Sequence, residues 1–163
     1  MNTTAASEKI GFIGLGLMGH GIAKNIVDKG YALTFLGRKN RAPAQDLLGR
    51  GAEEAATSRD VAVASDIVFI CVTGSREVEA IIRGPGGLKE GLKKGAVVVD
   101  CSTSDPTSTV TLAAELKALG VDYVDAPLSR TPKEAWEGTL DAMVGASDAV
   151  FARLKPVLDT WAG

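Results

Sequence analysis

The sequence predicts an α/β fold in which helices cover both faces of a doubly wound, mostly parallel β-sheet. Two observations support this fold class. Short apolar segments alternate along the chain with amphipathic helical ones, an order typical of strand–helix–strand units. The first apolar segment also leads into a glycine-rich turn and then a helical pattern, as expected for a Rossmann-type domain.

The strands are predicted from short apolar runs and the helices from the polar, periodic segments between them. Strands are predicted at residues 9–13, 32–36, 66–72, 96–101 and 122–125, with a weak one near 52–55. Helices are predicted at residues 18–29, 42–48, 75–82 and 107–119. After Pro127 the pattern predicts a loop, a strand at 140–144 and a helix from 148 to about 160. We expect a disordered tail at residues 1–8 and one domain at residues 9–163.

Each helix has a signal of its own. Apolar residues of the first helix recur at the spacing of one buried face: Met18, Ile22 and Ile26. Gly30 suits the left-handed residue that ends a helix, and Pro43 suits the first turn of the second one. Ser75 and Asp105 lie where N-terminal caps of the next two helices are expected.

Composition excludes several function classes. The 163 residues carry a net charge of -2 and no basic block, so we expect no nucleic-acid partner and no anionic membrane surface. The longest apolar runs are too short to span a bilayer, and the N-terminus does not resemble a signal peptide. We therefore expect a cytoplasmic protein without a metal site. Cys71 and Cys101 end apolar strands and are predicted to be buried thiols.

The turn after the first strand is predicted to bind the pyrophosphate of a dinucleotide. Gly14 permits the tight turn, Gly16 lets the phosphates approach the backbone, and Gly19 lets the helix pack on the strand. The N–H groups at the helix start attract phosphate charge. A purely structural glycine turn is the alternative. The residues assigned to the cofactor here are Gly14, Leu15, Gly16, Leu17, Met18 and Gly19.

The residues after the second strand favour NADP(H) over NAD(H). NAD-binding domains usually carry an acidic residue there, which accepts hydrogen bonds from the ribose hydroxyls. Residues 35–41 contain no carboxylate and three cations. We predict that Arg38 contacts the 2′-phosphate and that Lys39 or Arg41 assists. A solvated basic turn is the alternative.

Four segments of the chain carry recognisable motifs: residues 11–19 with 23–25, residues 100–106, residues 125–129 and residues 138–145. The last three are similar to the patterns D-x-S-T-x-x-P, D-A-P-V-S-G-G and G-T-L-x-x-M-V-G-G. Together the segments resemble the β-hydroxyacid dehydrogenase family, which includes 3-hydroxyisobutyrate dehydrogenase and 6-phosphogluconate dehydrogenase. The resemblance covers nearly the whole chain from Lys9. It implies hydride transfer between a nicotinamide and a small β-hydroxyacid or its semialdehyde.

The resemblance also implies roles for residues that follow strands. Ser102, Thr103 and Ser129 are implied to contact substrate, with Ser102 also beside the cofactor, while Val72 and Thr73 line the nicotinamide ribose. Parallel strands bring all of these residues to the carboxyl edge of the sheet, where ligands of open α/β sheets bind. From the residues alone, capping of the next helix by Ser102 and Thr103 is an equal alternative.

Two departures from the family pattern matter. Arg130 and Thr131 follow Ser129 where the family commonly has two glycines, so we assign both to the substrate site. The Arg130 guanidinium would suit a strongly anionic head group, and exposure to solvent is the alternative. Members of the family also continue into an all-helical domain, absent from this sequence, that supplies a catalytic lysine and much of a dimer contact. We find no substitute proton donor, since His20 lies at a helix N-terminus.

The resemblance therefore implies that the family lysine lies beyond Gly163. We expect the isolated chain to bind NADP(H) and to turn over poorly. Two other functions stay open: an imine reductase, which is similar in its first half, and a non-catalytic NADP(H)-binding or sensor module.

Overall fold

The computed structural model describes residues 8–163 and confirms the doubly wound α/β fold. Six parallel strands form the main sheet: β1 (Ile10–Ile13), β2 (Leu33–Leu36), β3 (Glu53–Ala55), β4 (Ile67–Ile70), β5 (Val97–Asp100) and β6 (Asp122–Asp125). Their order is β3-β2-β1-β4-β5-β6. The chain therefore reverses its direction of winding between β1 and β4, where dinucleotides bind in folds of this strand order.

Seven helices and a short antiparallel ribbon complete the described chain. The helices are α1 (Leu17–Asp28), α2 (Ala42–Gly49), α3 (Ser58–Val63), α4 (Ser75–Arg83), α5 (Pro106–Lys117), α6 (Pro132–Glu137) and α7 (Asp148–Leu158). A 3-10 turn at Leu88–Glu90 follows α4. The ribbon pairs β7 (Leu128–Ser129) with β8 (Asp141–Ala142).

The sheet is buried on both faces because successive side chains of each strand point to opposite sides. In β4, Ile67 and Phe69 pack with α1, α2 and α7, while Val68 and Ile70 pack with α3, α4 and α5. All four residues of β1, β4 and β5 are buried. This accounts for the uninterrupted apolar runs that predicted a parallel sheet.

The predicted end signals of the helices are largely confirmed. The Asp105 carboxylate accepts a hydrogen bond from the Thr107 N–H at 3.0 Å and caps α5. Gly30 has a φ of +96°, as expected for the residue that follows α1. Gly74, and not Ser75, is the N-cap of α4, and the Ser75 hydroxyl instead accepts a hydrogen bond from the Asp105 N–H.

The prediction of a loop after Pro127 was wrong at residues 132–137, which form α6. This helix is too short to show a helical period, but Thr131 and Glu134 form a capping box at its start. Helix α3 was not predicted either, although Thr57 caps it by accepting from the Asp60 N–H. The strand predicted at residues 140–144 is reduced to the two residues of β8.

At the N-terminus, residues 1–7 of the predicted tail lie outside the described residues. Glu8 is described, and its carboxylate forms an ion pair with Arg153, with Nε and Oε1 2.8 Å apart. Within residues 8–163, no helix has the length and apolar character needed to cross a membrane.

Candidate functional site

The glycine turn between β1 and α1 is shaped by close contacts at two of its three glycines. Gly14 has a φ of +109°, and a Cβ there would overlap the carbonyl oxygen of Cys71. A Cβ at Gly19 would overlap the carbonyl oxygen of Gly14. At Gly16, however, an added Cβ would meet nothing within 4 Å. The fold therefore requires glycine at two positions, while the backbone at Gly16 faces open space.

The N-terminus of α1 opens onto the same space. Gly16 is its N-cap, and within the described chain no side chain accepts a hydrogen bond at this cap and no acidic residue lies in the first turn. Leu17, the first helical residue, is 81% exposed. The helix start thus keeps its positive dipole end and its donors available for an anion from outside the chain.

Three cavities with shared lining residues surround this turn. One of about 300 Å³ has mostly apolar walls, formed by Ile13, Gly14, Leu36, Val72, Ala80 and Ile81 together with Arg38 and Glu77. A second of about 650 Å³ is lined by Leu15, Gly16, Gly37, Arg38, Lys39 and Asn40. A third of about 390 Å³ is lined by Gly16, Leu17, Met18, Gly19, Arg38, Cys71, Val72, Thr73, Glu77 and Pro132.

These cavities bring together the residues assigned to the cofactor, with one exception. All six residues of the glycine turn, and also Arg38, Lys39, Val72 and Thr73, line at least one of them. Ser102 does not. Sequence reasoning missed Glu77 and Pro132, which also line the site. Glu77 lies in the first turn of α4, and its position shortly after a strand is a signal that could have identified it.

The three cations after β2 have different surroundings. Arg41 forms a bidentate ion pair with Glu54 of β3, with both N–O distances 2.7 Å. The hydrogen bond from Arg41 holds the pKa of the Glu54 carboxyl below its usual range. A carboxylate therefore does reach this turn, from the neighbouring strand β3 and not from residues 35–41. Arg38 and Lys39 are exposed and form no ion pair with any residue in 8–163.

The polar residues after β5 are bonded to one another. Ser102 is 2% exposed; its hydroxyl accepts a hydrogen bond from the Val72 N–H at 2.9 Å, and its own N–H donates to Asp100. The buried Asp100 carboxylate also accepts from the Ser104 hydroxyl at 2.7 Å and the Tyr123 hydroxyl at 3.0 Å. Ser102 therefore ties the loop after β5 to the loop after β4.

The alternative role of helix capping is wrong for both residues of this loop. Asp105 caps α5, and Ser102 and Thr103 precede that cap. Thr103 is exposed at the carboxyl edge of the sheet. It therefore remains a predicted contact for substrate.

The three residues predicted at the substrate head group lie on β7 and at the start of α6. Ser129 is exposed. Arg130 has a φ of +88°, and its guanidinium forms an ion pair with Asp141 at 2.7 Å. The Thr131 hydroxyl is hydrogen bonded to the Glu134 carboxylate at the start of α6. Arg130 and Thr131 thus have partners within the chain, and Ser129 is open to solvent.

Several titratable groups at this edge have raised pKa values, which favours their neutral forms. Burial, followed by the charge of Asp100, raises the pKa of Tyr123 and of Asp125. Burial also raises the pKa of the Cys71 thiol to about 11 and that of the Cys101 thiol well above its usual value. The phenol and both thiols are therefore protonated at neutral pH. Cys101 is buried, as predicted, whereas Cys71 is only partly buried.

Residues 9–163 match the family described as the NAD-binding domain of 6-phosphogluconate dehydrogenase. The chain is 43% identical to 2-(hydroxymethyl)glutarate dehydrogenase of Eubacterium barkeri, over 93% of this chain and 50% of that protein. It is 42% identical to 2-hydroxy-3-oxopropionate reductase of Escherichia coli, over 93% of this chain and 51% of that protein. The chain thus spans about half the length of these relatives.

Several solved structures superpose closely on this chain and are likewise about twice as long. The 3-hydroxyisobutyrate dehydrogenase of Salmonella typhimurium superposes with a TM-score of 0.89 at 32% identity, over 96% of this chain and 54% of that one. A structure containing NADP+ has a TM-score of 0.86 at 30% identity, over 94% and 54%. An imine reductase of Myxococcus stipitatus with NAD+ has a TM-score of 0.85 at 24% identity, over 96% and 53%, which shows a shared fold.

Proposed function

Because the chain belongs to the family of 6-phosphogluconate dehydrogenase NAD-binding domains, as its sequence motifs predicted, we propose that its sheet edge binds NADP(H) in preference to NAD(H). One observation supports this choice most directly. Arg38 lines all three cavities around the glycine turn, is exposed, and forms no ion pair within residues 8–163. A guanidinium without a partner beside a dinucleotide turn suits a phosphate dianion.

The parts of the cofactor can be assigned to the cavities by their chemistry. The pyrophosphate is assigned to Gly16 and the start of α1, where backbone donors face open space. The cavity with walls from Leu36 and Ile81 suits the adenine ring because most of its lining is apolar. The 2′-phosphate falls to Arg38 and Lys39, which line the largest cavity.

We further propose that the chain is the cofactor-binding part of an oxidoreductase acting on a small β-hydroxyacid or its semialdehyde. The bound nicotinamide would supply or accept the hydride, and the chain would bind and orient it next to Val72 and Thr73. The proposed substrate contacts are Ser102, Thr103, Ser129, Arg130 and Thr131. The names of the two relatives above, both of which act on small oxygenated acids, support this substrate class.

Titration of the chain with NADPH and with NADH tests the cofactor assignment. Calorimetry, with the fluorescence of Trp136 and Trp161 as a second signal, gives both dissociation constants. We expect tighter binding of NADPH, and we expect Arg38→Ala to weaken it about 10- to 100-fold because charge-assisted hydrogen bonds are lost. NADH affinity should change little.

The control for this experiment is Arg59→Ala. Arg59 is exposed on α3, outside the three cavities, and its replacement removes the same charge from the chain. An NADPH-to-NADH affinity ratio that is the same in wild type, Arg38→Ala and Arg59→Ala would rule out phosphate recognition by Arg38.

A non-catalytic NADP(H)-binding module is the second candidate, because Ser102 is almost fully buried and bonded to Val72. A calorimetric titration of the NADPH-saturated chain with 3-hydroxyisobutyrate separates the two. Binding that is lost in Ser129→Ala supports a substrate site at this edge. Heat that is indistinguishable from dilution, with NADPH binding intact, supports the module.

A further inference from the structure

The ion pair between Arg41 and Glu54 lies directly over Gly37, at the end of β2. Both N–O distances are 2.7 Å, and a Cβ at Gly37 would overlap a Glu54 oxygen and lie 2.6 Å from Arg41 Nη1. Gly37 also lines the cavity that holds Arg38 and Lys39. The pair therefore borders the cavity that we assign to the 2′-phosphate.

Glu54 reaches this position from the neighbouring strand. In the register of the sheet, Phe35 lies opposite Glu54 and Leu36 opposite Ala55, so the Glu54 carboxylate extends beside the turn that follows β2. This turn is where NAD-binding domains hold a carboxylate for the ribose hydroxyls. The chain thus has an acid beside the nucleotide site, although none lies in residues 35–41.

The bidentate geometry occupies both oxygens of that carboxylate. Arg41 Nη1 bonds Oε1 and Arg41 Nη2 bonds Oε2, so no oxygen of Glu54 lacks a partner. The side chain of Arg41 is 47% exposed and that of Glu54 29% exposed, so Arg41 is the more exposed member of the pair. Because its charge is matched, the carboxylate repels a nearby phosphate less strongly and is a weaker acceptor for a ribose hydroxyl than an unpaired carboxylate would be.

We propose that Arg41 is a positioning residue that masks Glu54 and thereby sets the preference for NADP(H). Arg41 acts on the cofactor through Glu54 and not by touching the phosphate, which is left to Arg38 and Lys39. When the mask is removed, the carboxylate repels the 2′-phosphate of NADPH and accepts hydrogen bonds from the ribose hydroxyls of NADH. This inference rests on the proposed binding of a dinucleotide at this edge.

A double-mutant cycle measured with both cofactors tests the mask. Calorimetry gives the dissociation constants of NADPH and NADH for wild type, Arg41→Ala, Glu54→Gln and the double variant. We expect Arg41→Ala to lower the NADPH-to-NADH affinity ratio about tenfold or more, with tighter NADH binding contributing to the change. The double variant should return to within about threefold of the wild-type ratio, because no carboxylate remains to be unmasked.

Glu53→Gln is the matched control, since Glu53 is the preceding residue of β3 and removes the same charge. It should leave the ratio unchanged, and circular dichroism checks that each variant is folded. If the ion pair were merely structural, Arg41→Ala would weaken the binding of both cofactors together and would not strengthen the binding of NADH.

The outcomes separate this inference from the proposed function. A double variant as weak for NADPH as Arg41→Ala means that Arg41 contacts the phosphate directly; the mask is then wrong while NADP(H) binding stands. An unchanged ratio in Arg41→Ala overturns the mask as well, and the Arg38→Ala result then decides the cofactor assignment. If the wild-type chain binds neither dinucleotide, the proposed function and the mask both fail.

Discussion

The two halves of the carboxyl edge of the sheet treat their polar groups in opposite ways. After β1 and β2, the start of α1 and the Arg38 guanidinium face open cavities without partners in the described chain. After β5 and β6, Asp100 accepts three hydrogen bonds and the Ser102 hydroxyl is bonded to Val72. Buried polar groups need a hydrogen-bond partner within the protein, whereas exposed ones are solvated and stay available to a ligand. Substitutions of the unpartnered groups in the first half should therefore cost binding, and substitutions of the bonded groups in the second half should cost stability.

The largest effect is expected within the glycine turn itself, where Gly19→Ala and Gly16→Ala separate folding from binding. The new methyl at residue 19 would overlap the Gly14 carbonyl, so we expect the free energy of unfolding to fall by about 3 kcal/mol or more. At residue 16 the methyl enters open space, so stability should hold while NADPH binding weakens about tenfold or more. Thermal unfolding and NADPH titration of both variants measure this. Equal destabilisation by the two substitutions would contradict the assignment of Gly19 to packing and of Gly16 to cofactor binding.

A smaller effect is expected when the two serines of the other half are compared. Ser102→Ala leaves the Val72 N–H without its acceptor in a nearly closed site, so the free energy of unfolding should fall by about 1–3 kcal/mol. Ser129→Ala removes an exposed hydroxyl and should change it by less than about 0.5 kcal/mol. Urea unfolding curves of both variants provide the values. If both substitutions left the free energy of unfolding unchanged, the hydrogen bonds of Ser102 would not stabilise the fold.

The same contrast explains how far the sequence predicted the site. The glycine turn and Arg38 were predicted because their roles depend on neighbours in the chain: a strand before, a helix after, and a basic segment at the end of β2. Partners from distant segments gave no such signal. Glu54 reaches Arg41 across the β2–β3 pairing, and no local pattern in residues 35–41 contains it.

The fold shows the same division between local and distant information. The strands of the main sheet and the five predicted helices follow from apolar runs and periodicity, and their bounds agree within a few residues. Helix α6 lacks a period, and its contacts are tertiary: the buried Asn25 amide donates to the Ala135 carbonyl at 2.9 Å and so holds α1 against it. The capping box at Thr131 was the available signal and was missed.

A pH-dependent effect is expected at Asp125, whose carboxyl is partly buried near the Asp100 carboxylate. Burial and the nearby charge of Asp100 raise the pKa of Asp125 in the folded state. A carboxyl with a raised folded pKa contributes most stability below its unfolded pKa, and this is lost as pH rises through the folded pKa. Asp125→Asn should therefore be more stable than wild type at pH 7, by under about 1 kcal/mol, and should lose that advantage near pH 3.

Melting temperatures across this pH range measure the effect at Asp125. Asp122→Asn is the control at the other end of β6, where the carboxylate lies 3.7 Å from Lys117 Nζ and its loss should be neutral or slightly destabilising. A lower melting temperature for Asp125→Asn than for wild type at every pH would show that the charged carboxylate is needed in the fold.

The smallest effect concerns the two thiols: Cys71 lines a cavity of the open half, and Cys101 follows β5 in the bonded half. Burial raises the pKa of Cys71 to about 11, so at pH 8 only about one molecule in a thousand carries the reactive thiolate there. Cys101 is 4% exposed and should react with iodoacetamide more slowly still. Cys71 lines the cavity beside Thr73, so bound NADPH should slow its alkylation further and leave that of Cys101 unchanged. Mass spectrometry of timed reactions with and without NADPH gives the four rates. Equal protection of both thiols would mean that the cofactor closes the whole edge, and the separation between an open half and a bonded half would not hold.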